Sequence, residues 1–266
     1  MKFNKTYSRL QWNRTQLKRD SWERKYVLLI RTVLNKQFKA LSDRIDATSM
    51  SESLVENIIE REPIEKMMVS LYANVGIAFA KDQFKELKAE SQDLLLKDED
   101  KEVDKWYQYM VNYAKVKAGK RITSITGSGR AQAIKIIRTY LELSTIEGWG
   151  ADVTASKIKK ALIEEGRVIN KWRALRIART EIVTASNQGA MEGARSLDMP
   201  MEKFWLPTYD QRTRDTHSTM EQQNPKDMDS DFQVGVYKMD SPGDPDGGPE
   251  ETINCRCGIA FGIKGM

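Results

Sequence analysis

The chain has 266 residues, with 43 Lys and Arg against 38 Asp and Glu, a net charge of +5, one His and two Cys. Two cysteines cannot form the disulfide framework of a small secreted scaffold, and they cannot fill an all-thiolate zinc or iron–sulfur site, which needs four. A single His likewise excludes a multi-histidine metal centre. At about 100–200 residues per domain, the length predicts two domains.

Apolar stretches are short throughout the chain. Runs such as residues 26–30 and 76–80 fall far short of the ~20 residues that a membrane span needs. Residues 1–13 carry charges without the apolar stretch of a secretory signal. We therefore expect that the protein does not associate with a membrane. We also expect that it is made in a reducing cytoplasm.

Positive charge is concentrated at the start of the chain. Residues 1–39 hold eleven bases and two acids, a net charge of +9, so the remaining 227 residues sum to −4. Aromatic residues lie among these bases, a combination that suits a phosphate backbone or an acidic protein surface. The bases that we single out for such a contact are Lys2, Lys5, Arg9, Arg14, Lys18 and Arg19. From Trp22 onward, apolar residues at helical spacing predict an amphipathic helix, whose bases would then simply form its solvated face.

Residues 41–96 follow a helical pattern with few breakers. Pro63 should end one helix or lie in the first turn of the next. The charged run 97–105 predicts an exposed loop or helix start, with Asp104 as a cap. One helical face then carries large side chains that predict a buried stripe: Trp106, Tyr107, Met110 and Tyr113.

Residues 121–130 have the composition of a polar hinge. Its Gly-Ser-Gly lacks the spacing of a phosphate-binding loop, so we interpret Ser128 as the cap of a helix over 130–143. A further helix is predicted over 154–165, ended by Gly166, and a long one over 170–197. Small residues near one stripe of that long helix predict the close approach of another backbone: Ala178, Ala185, Gly189 and Gly193.

The sequence after Pro200 has the pattern of a small antiparallel sheet. Short apolar or alternating runs at 204–206, 232–237 and 258–263 are separated by loops rich in Asp, Pro and Gly. Residues 198–252 carry thirteen acids and five bases, a net charge of −8. The predicted fold class is α+β, with a mostly helical N-terminal body, a helical segment and a small C-terminal antiparallel β module.

The sole His and both cysteines fall in this last region. His217, Cys255 and Cys257 are ligand types that Zn²⁺ prefers, and Asp210 or Asp215 would supply a fourth ligand. A disulfide between cysteines one residue apart is geometrically poor. The sequence therefore predicts a candidate zinc site.

Two other interpretations of the same residues remain open. In a structural one, the loop 241–245 is pinned over a buried cluster, Arg212 or Arg214 pairs with a carboxylate, and Asn254 satisfies loop backbone groups. In an enzymatic one, a cysteine thiol attacks substrate with His217 as base and Asn254 as its orienting group. No substrate-positioning motif accompanies these residues, so we predict that the chain is not an enzyme.

Several motifs occur in an order that resembles the phage Mu F-like minor head proteins. The motifs are residues 122–127 and the following helix, Ile-Ala-Arg-Thr-Glu at 177–181 with Ala185, Asn187 and Gly189, Asp-x-Arg-Thr-Arg at 210–214 with His217, Pro-Gly-Asp-Pro at 242–245, and Asn-Cys-Arg-Cys at 254–257. The resemblance covers about residues 121–260. It departs at residues 220–222, Met-Glu-Gln, where the family usually has a Leu-Asp-Gly type of turn.

This resemblance implies a head morphogenesis protein of a tailed bacteriophage. Such a protein is made in the host cytoplasm and resides in the virion, at the portal vertex and capsid interior, with portal, scaffold or major capsid protein as partners and packaged double-stranded DNA as a further contact. The implied ranges are 1–120 for the basic arm and helical domain, 121–200 for the helical part of the Mu F-like domain, and 201–266 for its β-rich part. The motif residues expected to hold the fold are Arg179, Thr180, Glu181, Asp210, Arg212, Arg214 and Asn254. The alternative function is a zinc- or Cys–His-dependent hydrolase carried in the virion.

Overall fold

The computed structural model describes residues 5–91 and 98–265, and it confirms the predicted α+β class. Its helices are α1 (Lys5–Arg44), α2 (Glu52–Ile58), α3 (Glu62–Glu90), α4 (Glu99–Lys115), α5 (Gly119–Glu147), α6 (Ala151–Arg195), α7 (Asp215–Ser218) and α8 (Gly248–Thr252). Its strands are β1 (Met201–Leu206), β2 (Lys226–Asp227), β3 (Phe232–Val234), β4 (Tyr237–Met239) and β5 (Gly258–Ile263). Short 3-10 helices span Met220–Gln223 and Pro245–Gly247.

Two predicted helix boundaries are wrong, because the helices continue through them. Helix α5 begins at Gly119, so Ser128 lies inside it, and its hydroxyl donates to the carbonyl of Ile125 at 3.0 Å. Helix α6 runs unbroken through Gly166. A Cβ at that position would lie 2.6 Å from a ring carbon of Phe38, so this glycine serves packing and does not end a helix.

Other local predictions have mixed outcomes. Pro63 lies in the first turn of α3, as expected. The cap of α4 is Asp98, which accepts from the amide of Asp100 at 3.2 Å, and not Asp104. In the predicted aromatic stripe, Tyr107 is 46% exposed, while the other three members are buried. The predicted stripe is therefore wider than the side of α4 that is buried, and Tyr107 lies at its exposed margin.

The chain divides into two compact units, each built from separate segments. The first comprises the described residues of Met1–Lys25, Val69–Lys117 and Ala178–Met266, and the second comprises Tyr26–Met68 and Ala118–Ile177. The domain ranges 1–120, 121–200 and 201–266 stay a prediction, since these units group the chain along different lines.

The second unit is helical, with a hydrophobic core that includes Phe38, Leu41, Ile45, Val55, Ile59, Ile136, Ile137, Ile158 and Leu162. Arg130 donates to the carbonyls of Glu56 and Ile59 at the end of α2, at 3.1 and 2.9 Å, which satisfies acceptors that a helix terminus leaves open. The buried guanidinium of Arg173 donates to Asn170 Oδ1 and the carbonyl of Ile125, both at 3.0 Å.

The first unit contains the sheet. Strand β1 lies between β2 and β5 and pairs antiparallel with both, and its register with β5 runs from Met201 opposite Ile263 to Leu206 opposite Gly258. Because side chains alternate along a strand, Phe204 packs in a cluster with Trp12, whereas Trp205 enters a cluster that contains both cysteines. Strands β3 and β4 form a separate hairpin.

Helices α3 and α6 approach each other closely in this first unit, as the small residues predicted. A Cβ built on Gly189 would lie 2.1 Å from the carbonyl oxygen of Gly76, and one on Gly193 would lie 2.2 Å from that of Ala80. The two backbones can approach this closely only because Gly189 and Gly193 have no Cβ atom.

Among the described residues, no helix combines the length and the apolar character needed to cross a membrane.

Candidate functional site

The three predicted metal ligands converge in the first unit. The Nδ1 atom of His217 lies 3.3 Å from the Sγ atom of Cys257 and 3.6 Å from that of Cys255. The three ligand atoms all lie within 4.8 Å of one another, and each residue is 1% exposed. Both cysteines are free thiols, as expected for this spacing.

The local fold explains why these side chains meet. His217 lies on the short helix α7, and the cysteines lie in the turn between α8 and β5. That turn begins at Asn254, whose φ of 57° is left-handed and whose amide donates to Thr180 Oγ1 at 3.0 Å. The amide of Cys257 then donates to Cys255 Sγ at 3.4 Å, so both sulfur atoms lie on one side of the turn.

The second ring nitrogen of His217 contacts a carboxylate that the sequence analysis missed. Glu251 Oε2 lies 2.9 Å from His217 Nε2 and also accepts from Thr216 Oγ1 at 2.8 Å. Glu251 is one of thirteen acids in residues 198–252, and nothing local distinguishes it. The predicted fourth ligands, Asp210 and Asp215, are absent from the metal-ligating group found among the described residues.

The two thiols differ in acidity. The hydrogen bond with Cys257 and burial raise the pKa of the Cys255 thiol. Burial alone would raise the pKa of Cys257 too, but its contacts with Cys255 and His217 outweigh burial and lower that pKa below its ordinary value. One sulfur of the pair is therefore predisposed to the thiolate form, which is the form that binds metal.

The predicted bidentate ion pair exists, but its arginine is Arg256. The guanidinium donates to both carboxylate oxygens of Asp210, at 2.7 and 2.9 Å, and this pairing lowers the pKa of Asp210 well below its usual range. Arg212 Nη2 lies 3.4 Å from Asp210, and Arg214 donates to the carbonyl of Ile253 at 2.5 Å. Arg256 forms this ion pair because it lies in the cysteine turn itself, which the fold places next to Asp210.

The loop 241–245 is pinned, but by helix α6 and not by Asn254. Asn187 Nδ2 donates to the carbonyl of Pro242 at 2.7 Å, Thr184 Oγ1 donates to that of Gly243 at 2.8 Å, and Gln188 Nε2 donates to Ser241 Oγ at 2.9 Å. All three α6 side chains are buried. The signal in the sequence is a polar run inside a stripe of small residues.

Arg19 is buried beneath the cysteine turn. It is 2% exposed, and it donates to Ser186 Oγ at 2.7 Å, to Asn187 Oδ1 at 2.5 Å and to the carbonyl of Cys257 at 3.0 Å. Burial lowers the pKa of its guanidinium to about 10, which leaves it charged at neutral pH. Arg19, which the sequence analysis predicted to be a surface contact, is thus a buried residue that holds the cysteine turn.

The other candidate contact bases have different surroundings. Arg9 and Arg14 are exposed, while Lys18 is half-buried and donates to Asp82 and to the carbonyl of Ala78. Lys2 lies outside the described residues, and only the backbone of Lys5 is described.

The helical motif residues make tertiary contacts within the first unit. Arg179 donates to both carboxylate oxygens of Glu23, at 3.2 and 2.9 Å. Glu181 is buried and accepts from the hydroxyl of Tyr72 at 2.6 Å. These bonds tie α6 to α1 and α3.

Asp244, in the pinned loop, predicts a pH dependence of stability. Burial and the neighbouring Asp240 raise its pKa from 3.8 to about 6. The folded state therefore binds this proton more tightly than the unfolded chain, so the stabilisation is fully present below pH ~4 and is lost as the pH rises through ~6. We expect Asp244→Asn to remove this pH-dependent stabilisation. The difference in free energy of unfolding between the variant and the wild type should therefore change by about 1–3 kcal/mol between pH 4 and pH 8.

Urea unfolding of both proteins across that pH range measures the difference. Asp231→Asn, at an exposed position, is the control and should give a flat difference. A difference for Asp244→Asn that is equally flat would contradict the raised pKa.

The fold and the site define a helical α+β protein with a buried Cys/His group in its C-terminal part. Residues 135–260 match the family described as Phage Mu protein F like protein. This confirms the resemblance seen in the motifs. This match supports a role in bacteriophage head morphogenesis and a location in the virion.

The chain is also similar to part of a larger curated protein. It is 28% identical over 164 residues to the NAD(+)–arginine ADP-ribosyltransferase EFV of Enterococcus faecalis (strain ATCC 700802 / V583), which covers 60% of this chain and 32% of that protein. The chain thus matches about a third of the length of this relative, and ADP-ribosyl transfer is an activity of that protein. No solved structure matches the chain.

Proposed function

We propose that this chain is a minor head protein that binds the portal, inside the capsid, through the N-terminal part of helix α1. The observation that carries the proposal is an exposed face on that helix. Leu10 and Leu17 lie seven residues apart and are 63% and 73% exposed. Arg14 lies between them and Arg24 lies seven residues after Leu17, and both are exposed.

Apolar and basic side chains that alternate along one helix face suit a protein partner. Positions 10, 14, 17, 21 and 24 follow the spacing of a helix–helix seam, in which leucines provide apolar burial and flanking arginines select an acidic surface. The portal, scaffold and major capsid proteins are the partners that the family function offers. Among them we favour the portal, because the motif resemblance implies a protein of the portal vertex.

A pull-down with the portal protein of the same phage tests this proposal. We expect Leu10→Glu combined with Leu17→Glu to weaken the association at least tenfold, because each change places a charge in the apolar part of the contact. Ile146→Glu combined with Val168→Glu is the matched control, since these residues are 77% and 62% exposed on other parts of the chain. Equal retention of both double variants, or no association of the wild type, would contradict portal binding.

Packaged DNA is a second candidate partner, favoured by the net charge of +9 over residues 1–39. Neutralising phosphates predicts a steep dependence of binding on salt, about one unit of slope per phosphate. We expect Arg9→Glu combined with Arg14→Glu to reduce that slope by about two units, as measured by duplex binding between 50 and 200 mM salt. Lys159→Glu combined with Lys160→Glu, both exposed, should leave the slope unchanged if the N-terminal part of α1 is the DNA-binding surface.

We further propose that the chain acts without catalysis. Cys257, His217 and Glu251 do form the contact sequence of a nucleophile, a base and an orienting carboxylate. Their burial, at 1% exposure for the thiol and the imidazole, gives a substrate no access in this conformation. We expect both thiols to resist iodoacetamide in the folded chain and to react fully in denaturant, as measured by mass spectrometry. Rapid alkylation of Cys257 in the folded chain would instead favour the hydrolase alternative.

A further inference from the structure

We propose that His217, Cys255 and Cys257 bind one Zn²⁺ ion through Nδ1 and the two Sγ atoms. The inference concerns the C-terminal module alone and does not depend on which partner α1 binds. Three observations support it: the spacing of the ligand atoms, the contact made by the other imidazole nitrogen, and an unpaired buried N–H group in the same cluster.

The spacing of the ligand atoms fits a tetrahedral zinc site. Zn–S bonds of about 2.3 Å and Zn–N bonds of about 2.0–2.1 Å, at tetrahedral angles, place nitrogen and sulfur about 3.6 Å apart. The observed distances from His217 Nδ1 to the two sulfur atoms are 3.3 and 3.6 Å. Two edges of the required tetrahedron are therefore matched to within about 0.3 Å, and the two sulfur atoms lie within 4.8 Å of each other.

The imidazole is held in the orientation that a metal ligand needs. Metal-binding histidines usually donate their other ring N–H to a carboxylate or carbonyl, which fixes the tautomer with the ligating nitrogen free. Glu251 Oε2 lies 2.9 Å from His217 Nε2, and Thr216 holds the same oxygen in place. The ring of Trp205 packs edge-on against the imidazole at a centroid distance of 5.5 Å, which restricts its rotation.

Charge also favours a divalent ion at this position. Two thiolates and one Zn²⁺ are neutral together, which suits a site where each ligand is 1% exposed. Thiolate and imidazole ligands select zinc over magnesium or calcium. Arg19 and Asn187 donate to the backbone carbonyl of Cys257, at 3.0 and 3.4 Å, and these bonds hold the cysteine turn in position.

A water molecule is the expected fourth ligand. The described residues provide three protein ligands, and zinc in proteins usually has four. In the same cluster the buried indole N–H of Trp205 has no hydrogen-bond partner among the described residues. Buried N–H groups are seldom unpaired, and ordered water commonly pairs with them. A solvent molecule in this cluster would serve both needs.

Elemental analysis of the full chain, purified without an affinity tag, tests the proposal directly. We expect one zinc per chain in the wild type and at least a tenfold lower content in Cys257→Ser and His217→Asn. Ser218→Ala, at the exposed neighbour of His217, is the matched control and should retain one zinc per chain. A wild type that holds no zinc, including after refolding in the presence of zinc sulfate, would overturn the proposal.

Cobalt substitution keeps the test decisive if a ligand variant fails to fold. Co²⁺ in the wild-type site should show absorption from thiolate-to-metal charge transfer, and each single cysteine variant that folds should show about half of it, because one of two thiolates is lost. Glu251→Gln should still bind metal, about 10–100-fold more weakly. Cobalt bound to the wild type without thiolate absorption would place the metal elsewhere and refute the site, while leaving the proposed portal contact untouched.

Discussion

Gly189→Ala is expected to destabilise the chain by about 3 kcal/mol or more, although alanine is the better helix former. The added Cβ would lie 2.1 Å from the carbonyl oxygen of Gly76 and 2.6 Å from its Cα. Real Cβ atoms essentially never approach other atoms within 3.0 Å. Backbone cannot turn aside as a side chain can, so α3 and α6 must separate, and the packing around their crossing is lost.

Gly127→Ala is the control for this effect. Gly127 also lies inside a helix, but a Cβ there would meet nothing within 4 Å. Its replacement should stabilise the chain by about 0.5–1 kcal/mol through helix propensity alone. Urea unfolding followed by circular dichroism measures both variants. A Gly189→Ala variant as stable as Gly127→Ala would show that the two backbones are not in contact.

Arg19→Met is expected to destabilise the chain by about 3–5 kcal/mol. The methionine fills much of the volume but removes the donor of two buried acceptors, Ser186 Oγ and Asn187 Oδ1. The carbonyl of Cys257 also loses its 3.0 Å bond and keeps only the 3.4 Å bond from Asn187. Unpaired buried acceptors carry the full cost of lost hydration. The free energy of unfolding of Arg19→Lys should lie between those of the wild type and Arg19→Met, because one ammonium group cannot replace the several donors of a guanidinium.

The matched change is Arg24→Met, at an exposed position on the same helix. It should alter the free energy of unfolding by no more than about 0.5 kcal/mol. Chemical denaturation of the three variants and the wild type gives the comparison. Equal stability of Arg19→Met and Arg24→Met would mean that the guanidinium of Arg19 does not support the cysteine turn.

Local patterns predicted the elements more reliably than their ends. The break after Pro200 and the short apolar runs at 204–206 and 258–263 correctly indicated strands β1 and β5, because a short apolar run bounded by turn residues is visible in each strand by itself. Gly166 and Ser128 misled the helix boundaries. A glycine or serine that ends an isolated helix can lie inside one when a neighbour such as the Phe38 ring needs its small volume, and the neighbour is not visible in a local window.

The sequence indicated the candidate metal ligands more clearly than the residues that contact them. Composition alone singled out His217, Cys255 and Cys257, since the chain has no other His or Cys. It could not single out Glu251 among many acids or Arg256 among many bases. Those two are defined by where the turn between α8 and β5 brings them, next to His217 and Asp210 respectively.

The sequence by itself determined the α+β class, the concentration of basic charge in the first 39 residues and the identity of the three candidate metal ligands, because each of these depends on residue type and on spacing along the chain. Only the tertiary structure decided that Arg19 is a buried support, that Glu251 orients the imidazole, and that α6 supplies the bonds to loop 241–245. These roles depend on contacts between residues up to 238 positions apart, as between Arg19 and Cys257. A buried polar atom must pair with whatever the fold places beside it, and that neighbour is set by packing of the whole unit.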